Sequence, residues 1–211
     1  MVIAIDGPAG SGKSTIARRL AEELGFYFLN TGSFYRAYTL SAIENGIDPL
    51  DKDKVLSNAE SIEITVKDGN ICIDGVDCEN KLHTASVDAY ASQVSSDPRI
   101  RELVNKAVRN IAKGLDIVTE GRDTTTVIFP EADYKFYFDA SPEVRAKRRM
   151  QDQEGSDYQT ILKAIEERDK MDKEKAVGAL KIADNAIYID TSLLTISQVC
   201  EKVIEAVREP L

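Results

Sequence analysis

Between positions 7 and 15 the chain reads Gly7-Pro8-Ala9-Gly10-Ser11-Gly12-Lys13-Ser14-Thr15, a glycine-rich run closed by a lysine and two hydroxyls. Glycines let the backbone curl until successive N–H groups point at one anion, and a helix N-terminus behind them adds positive potential. Lys13 would then bridge the outer phosphates of a ligand, and Ser14 would ligate a divalent cation such as Mg²⁺. The spacing GxxxxGK[ST] lies between a strand-like run, Val2 to Asp6, and a helical pattern that starts at Lys13. That context points to a site for a nucleoside triphosphate or a close relative.

Such a loop is shared by several chemistries, so the remaining residues must separate them. No NKxD guanine-reading motif occurs, and no DxxG follows an apolar strand. Instead, arginines cluster near the ends of strand-like runs: Arg36, Arg101, Arg122 and Arg168, with Arg145, Arg148 and Arg149 beside them. Arg122 stands out, between Gly121 and Asp123 directly after the run Ile117 to Glu120. The carboxyl ends of parallel strands are where ligands bind in α/β sheets, and a guanidinium that forks onto phosphate suits that place.

These residues need a scaffold, and the apolar pattern supplies one. Val2 to Asp6, Phe26 to Leu29, Ile117 to Glu120, Tyr134 to Asp139 and Ala186 to Asp190 read as short buried strands alternating with helical segments, which predicts a five-stranded parallel sheet flanked by helices. Thr31 is expected to cap a helix that runs to Asn45-Gly46. Ser141-Pro142-Glu143 and Pro98 open two others, since proline at a first turn loses no hydrogen bond. A further helix is expected from Asp157 to Lys173. In the middle, Glu63 to Val66, Asn70 to Ile73 and Val76 to Cys78 are separated by Asp68-Gly69 and Asp74-Gly75, tight-turn dipeptides that predict a small antiparallel insert.

The 211 residues carry a formal net charge of −9, so the molecule as a whole repels nucleic acid and anionic membranes. No apolar run approaches the roughly 20 residues that cross a bilayer. Three cysteines without ligand spacing and one histidine, His83, argue against a metal cluster. The expectation is a cytoplasmic, monomeric enzyme with small-molecule substrates, no nucleic-acid partner and no membrane partner.

In this order the segments resemble one known family, the bacterial cytidylate kinases, within the nucleoside monophosphate kinases. IDGPAGSGKST (Ile5 to Thr15) resembles its phosphate loop, LNTGSFYR (Leu29 to Arg36) its N-T-G-x-x-Y-R segment, and ASQVSSDPRIR (Ala91 to Arg101) its A-S-x-V segment. EGRD (Glu120 to Asp123) with VIFPEAD, FDASPEVRAKRR (Phe138 to Arg149) and IDTSLLTISQV (Ile189 to Val199) complete a likeness over nearly the whole chain.

The resemblance implies one P-loop kinase domain over residues 1–211, with a core at 1–60 and 113–211, a monophosphate-binding insert at about 61–112 and a lid at about 145–175. It implies transfer of the γ-phosphoryl group of ATP, with Mg²⁺, to CMP or dCMP. Arg36, Ser92, Arg101, Asp123, Arg168 and Asp172 match positions that hold the monophosphate. Ser92 and Asp123 would read the base or sugar, and Arg36, Arg101 and Arg122 the phosphate. Arg145, Arg148 and Arg149 match the lid. Several positions depart from the family pattern, among them Ala179-Leu180 and His83-Thr84-Ala85-Ser86-Val87, and two touch the acceptor chemistry. Thr125 replaces a glycine, and Lys175, expected beside Arg168 and Asp172 in the acceptor cluster, replaces an arginine; both predict altered acceptor binding. Two other readings stay open: a P-loop kinase for another small acceptor, such as a different monophosphate, shikimate or dephospho-coenzyme A, and a nucleotide-binding module with weakened catalysis.

Overall fold

The computed structural model describes residues 1–67, 69–152 and 157–208. Its centre is β1 (Val2–Asp6), a β-branched apolar run buried except at Val2. It can be buried on both faces because a parallel sheet covered by helices needs no polar side. Here β1 lies between β6 (Ile117–Gly121) and β7 (Tyr134–Asp139), parallel to both, with Asp6 opposite Gly121 and Tyr137. β2 (Tyr27–Asn30) and β8 (Ile187–Asp190) complete the order β2-β6-β1-β7-β8.

On one face, Ile3, Ile5, Phe136 and Phe138 pack with Ile16 and Leu20 of α1 (Lys13–Leu24) and with Val199 and Val203 of α8 (Ile196–Arg208). The buried positions of α1 recur at helical spacing, so a single stripe holds the helix to the sheet. α6 (Pro142–Asp152) and α7 (Tyr158–Glu174) pack on each other around Ala146, Ile161 and Ile165. Ser141 Oγ accepts a hydrogen bond from Val144 N at the start of α6, and Asp157 caps α7 through Thr160 N.

Backbone packing divides the chain into two compact units, Met1–Phe28 with Asp116–Leu211, and Leu29–Leu115. In the second, α2 (Thr31–Glu44) packs against α3 (Lys52–Ser61), α4 (Ala85–Val94) and α5 (Pro98–Ala112). A three-stranded antiparallel sheet, β3 (Ile64–Lys67), β4 (Asn70–Ile73) and β5 (Val76–Asp77), forms the expected meander. Asp74 and Gly75 both take positive φ, 50° and 80°, the left-handed pair that a two-residue hairpin turn requires. Of the other turn dipeptide, Asp68 lies outside the described residues.

One local expectation is corrected, and two elements had no counterpart in the sequence pattern. Asn30, not Thr31, caps α2, its carboxamide oxygen accepting from Gly32 N at 2.8 Å. α3 was not anticipated; Asp51 caps it through Lys54 N. After β6 the chain makes a π-helical turn, Thr124–Ile128, where the sequence gives a threonine-rich run with no helical signal. Among the described residues no helix is long and apolar enough to cross a membrane.

Candidate functional site

The phosphate loop joins β1 to α1, and its first residue explains why glycine is needed there. Gly7 has φ of 152°, and a Cβ on it would sit 2.0 Å from the carbonyl oxygen of Phe138 on the neighbouring strand. No side chain fits without moving the sheet. Beyond it, Lys13 Nζ donates to the carbonyl of Pro8 at 2.7 Å and to Ser11 Oγ at 3.4 Å, which holds the ammonium over the curled loop. Lys13 is only 4% exposed. Burial, and then the nearby Arg122 cation, lower its pKa to about 7, against partial compensation from Glu120, Asp6 and Asp172. An anion arriving at this loop would restore the charged form. Next to it, Ser14 Oγ donates to Glu120 Oε1 at 2.8 Å, so a hydroxyl and a carboxylate meet at the end of β6.

Arg122, at the carboxyl end of β6, donates through Nε to Asp172 Oδ2 at 2.9 Å and through Nη1 to the Gly121 carbonyl at 3.2 Å. Lys175 Nζ stands 3.0 Å from the other oxygen of the same carboxylate. Burial would raise the Asp172 pKa, but the Arg122 and Lys175 cations more than reverse it and hold it below the ordinary carboxylate range. Asp172 is therefore a shared anion between two cations. Arg168 lies half-buried on α7, one turn before it, and Asp123 is buried at the start of the π-turn.

Arg145 was expected in the lid, and its side chain is 2% exposed. Its guanidinium is fixed from three directions: Nε to the Ala140 carbonyl at 2.8 Å, Nη1 to the Ala9 carbonyl at 3.1 Å, and both terminal nitrogens to the Asp169 carboxylate. A bidentate arginine so placed ties α7 to the phosphate loop. Arg148 donates to the carbonyl of Thr191 at 2.6 Å, just after β8, while Arg149 is exposed. These three arginines thus hold different environments.

In the second unit, Arg36 of α2 donates to the Leu82 carbonyl at 3.0 Å and pairs with Asp88 of α4. Arg101 of α5 is buried, donates to the Ser95 carbonyl at 3.1 Å and lies over the Tyr35 ring, 5.3 Å from its centroid. Ser92 is half-buried on α4, one helical turn beyond Asp88, and its carbonyl accepts from Ser95 Oγ. Thus Arg36 sits on α2, and Ser92 and Arg101 on two helices, α4 and α5, that both pack against it in one unit. His83 is exposed, and Cys72, Cys78 and Cys200 are buried free thiols.

The cytidylate kinase family model matches residues 3–209. The chain belongs to the cytidylate kinase family. A cytidylate kinase of Clostridium botulinum strain Langeland is 40% identical over 210 residues, covering 98% of this chain and 97% of that one. Another, from Rhodopirellula baltica, is 41% identical over 213 residues, covering 99% and 93%. Among solved structures, shikimate kinase from Bacteroides thetaiotaomicron superposes with a TM-score of 0.53 at 12% identity, over 99% of each chain. That likeness is one of fold: a P-loop kinase architecture carried by a cytidylate kinase family sequence.

Three residues of this family member were not picked out from the sequence: Glu120, Asp6 and Asp169. Glu120 and Asp6 each end an apolar strand-like run, an acidic break in a buried segment that marks a strand's ligand-facing end. Asp169 carried no such signal, because its partner Arg145 is 24 positions away on another helix.

Proposed function

We propose that the chain transfers the γ-phosphoryl group of ATP to CMP or dCMP, giving ADP and CDP or dCDP. The observation that carries this is the buried Lys13 of a phosphate loop beside Arg122 at the carboxyl ends of β1 and β6, in a chain matched along its length to cytidylate kinases.

The residues support a division of labour. Gly7 to Thr15 cradle the donor phosphates through the backbone N–H groups of every residue but Pro8, and Lys13 neutralises the oxygens on which charge gathers as the phosphoryl group moves. Phosphoryl transfer has a charge-dispersed transition state, so positioning and fixed positive charge supply most of the catalysis. Ser14 and Glu120, already in contact, are a hard-oxygen donor pair suited to Mg²⁺. When bound there, Mg²⁺ would supply further neutralisation of phosphate charge. Among the described residues no group of three His, Cys, Asp or Glu could hold a metal unaided, so the remaining ligands would come from phosphate oxygens and water.

Arg122 is assigned to the acceptor phosphate, released from Asp172 as the ligand anion takes its place. The resemblance assigns Arg36 and Arg101 to the acceptor phosphate and Ser92 and Asp123 to the nucleoside, with Arg168, Asp172 and Lys175 completing the acceptor set. The lid is assigned to about 145–175, of which 153–156 lie outside the described residues, with Arg145 as its anchor on the phosphate loop, and the meander is assigned to the acceptor-binding insert. The test is a coupled assay of ADP formation with CMP, dCMP, UMP, AMP and shikimate as acceptors. Turnover with CMP or dCMP exceeding the others is the expected outcome, and activity confined to shikimate or AMP would overturn the reading.

A further inference from the structure

Asp6 is an ionisable residue at the heart of the sheet for which the proposed chemistry has no direct use. It closes β1, immediately before Gly7, and its side chain is fully buried. Burying a carboxylate costs several kcal/mol unless its oxygens are satisfied. Here they are satisfied by one short stretch of chain. Oδ1 accepts from Thr124 N at 2.9 Å, and Oδ2 accepts from Thr125 N at 2.7 Å and from Thr125 Oγ1 at 2.6 Å.

Those donors begin the π-turn that follows Arg122 and Asp123. Within the turn, Val127 N and Ile128 N bond the Asp123 carbonyl, and Phe129 N bonds that of Thr124. The opening amides of any helical turn have no acceptor inside it, so Thr124 N and Thr125 N need one from elsewhere. Asp6 supplies it. Burial pushes the Asp6 pKa up, while the Thr125 and Thr124 hydrogen bonds pull against that rise. Loss of any one donor would therefore loosen the whole clamp.

The strand that launches the phosphate loop is thus pinned, through one carboxylate, to the turn that presents Arg122. Thr125 also explains one departure from the resembled family. Thr125 is 1% exposed, and its hydroxyl adds a hydrogen bond to Asp6 that glycine could not make. We propose that Asp6 and Thr125 are positioning residues for phosphoryl transfer, setting Arg122 relative to the donor phosphates. This rests on the kinase reading above.

The experiment compares Thr125→Val, Thr125→Ser, Asp6→Asn, Arg122→Lys and the Thr125→Val/Arg122→Lys double variant with wild type. Removing one buried hydrogen bond from the clamp should lower kcat with CMP roughly five-fold in Thr125→Val, with the KM for ATP within about twofold of wild type. Thr125→Ser, which keeps the hydroxyl, should recover most of the loss. If Thr125 acts through Arg122, the double variant loses less than the product of the single losses. Hydrogen exchange of the 122–125 segment, read by mass spectrometry without any acceptor, should quicken in Thr125→Val and not in Thr125→Ser.

A lowered melting temperature with unchanged kcat, or strictly multiplicative losses, would make the clamp structural only and overturn the proposal. So would unchanged exchange in Thr125→Val. Should Asp6→Asn not fold, the Thr125 variants still decide. Should wild type fail to phosphorylate CMP, the functional reading falls, and the exchange data judge the clamp by themselves.

Discussion

The two units hold their cations in different ways. In the phosphate-loop unit several central charges are shared: Arg145 with Asp169 and two carbonyls, Arg122 and Lys175 with Asp172, and Asp6 with Thr124 and Thr125. In the Leu29–Leu115 unit, Arg36 donates to the Leu82 carbonyl and pairs with Asp88, whose side chain is 51% exposed, while buried Arg101 donates to the Ser95 carbonyl over the Tyr35 ring. A buried, cross-linked network is rigid because each broken bond strands a charge. An exposed pair is exchanged for a ligand at little cost. The contrast separates Arg145 and Asp6, buried and in place before substrate arrives, from Arg36, whose exposed partner lets it reorganise around the ligand.

The largest effect is expected from emptying the phosphate loop of its cation. Lys13→Ala should remove several kcal/mol of transition-state stabilisation, at least ~1,000-fold in kcat, while leaving the far-UV spectrum intact. Steady-state kinetics on the folded variant measures it.

Next comes a matched pair of charge deletions. Asp169→Asn leaves Arg145 buried without its counter-ion and should cost about 3 kcal/mol in denaturant unfolding. Asp88→Asn, at an exposed pair, should cost under ~1 kcal/mol. Equal costs would erase the distinction between the units.

Arg122→Lys keeps charge but loses the fork, and kcat/KM for CMP should fall roughly 10- to 100-fold. The smallest effect is set by pH. Because Lys13 has a pKa of about 7 before ligand binds, ATP should bind with uptake of a proton above that pH. Its affinity should fall by at most about tenfold per unit as pH rises further. Calorimetry in two buffers of different ionisation heat reads that uptake directly. The unliganded chain should move the other way, gaining stability between pH 7 and 10.5. The unfolded state holds a proton on Lys13 in that window that the native state has given up.

The five core strands and the phosphate loop were legible because each is encoded locally. Buried parallel strands are short β-branched or aromatic runs, and the loop's glycines meet a backbone demand such as that at Gly7. α3 was not legible, since Val55 and Ala59 are its only buried residues in a polar ten-residue stretch. The π-turn was hidden for the opposite reason. Thr124, Thr125, Thr126 and Val127 favour extended backbone locally, and Asp6, more than a hundred residues earlier, overrides that preference. The residue types of the candidate site could be picked out from sequence, but their partners could not. Arg122 meets Asp172 across 50 positions and Arg145 meets Asp169 across 24, separations that no periodicity reports.

The strand order has a consequence for how the chain is born. Both neighbours of β1 come late: Val2 pairs with Ile117, and Ile3 with Tyr134. At ribosomal speeds of roughly 5–20 residues per second, β1 waits on the order of ten seconds before β6 exists. Meanwhile Leu29–Leu115, contiguous in sequence, emerges complete and is free to fold. Nascent chains would therefore carry an apolar, unpaired strand ahead of a finished unit, and chaperone occupancy should peak before residue 117 leaves the exit tunnel.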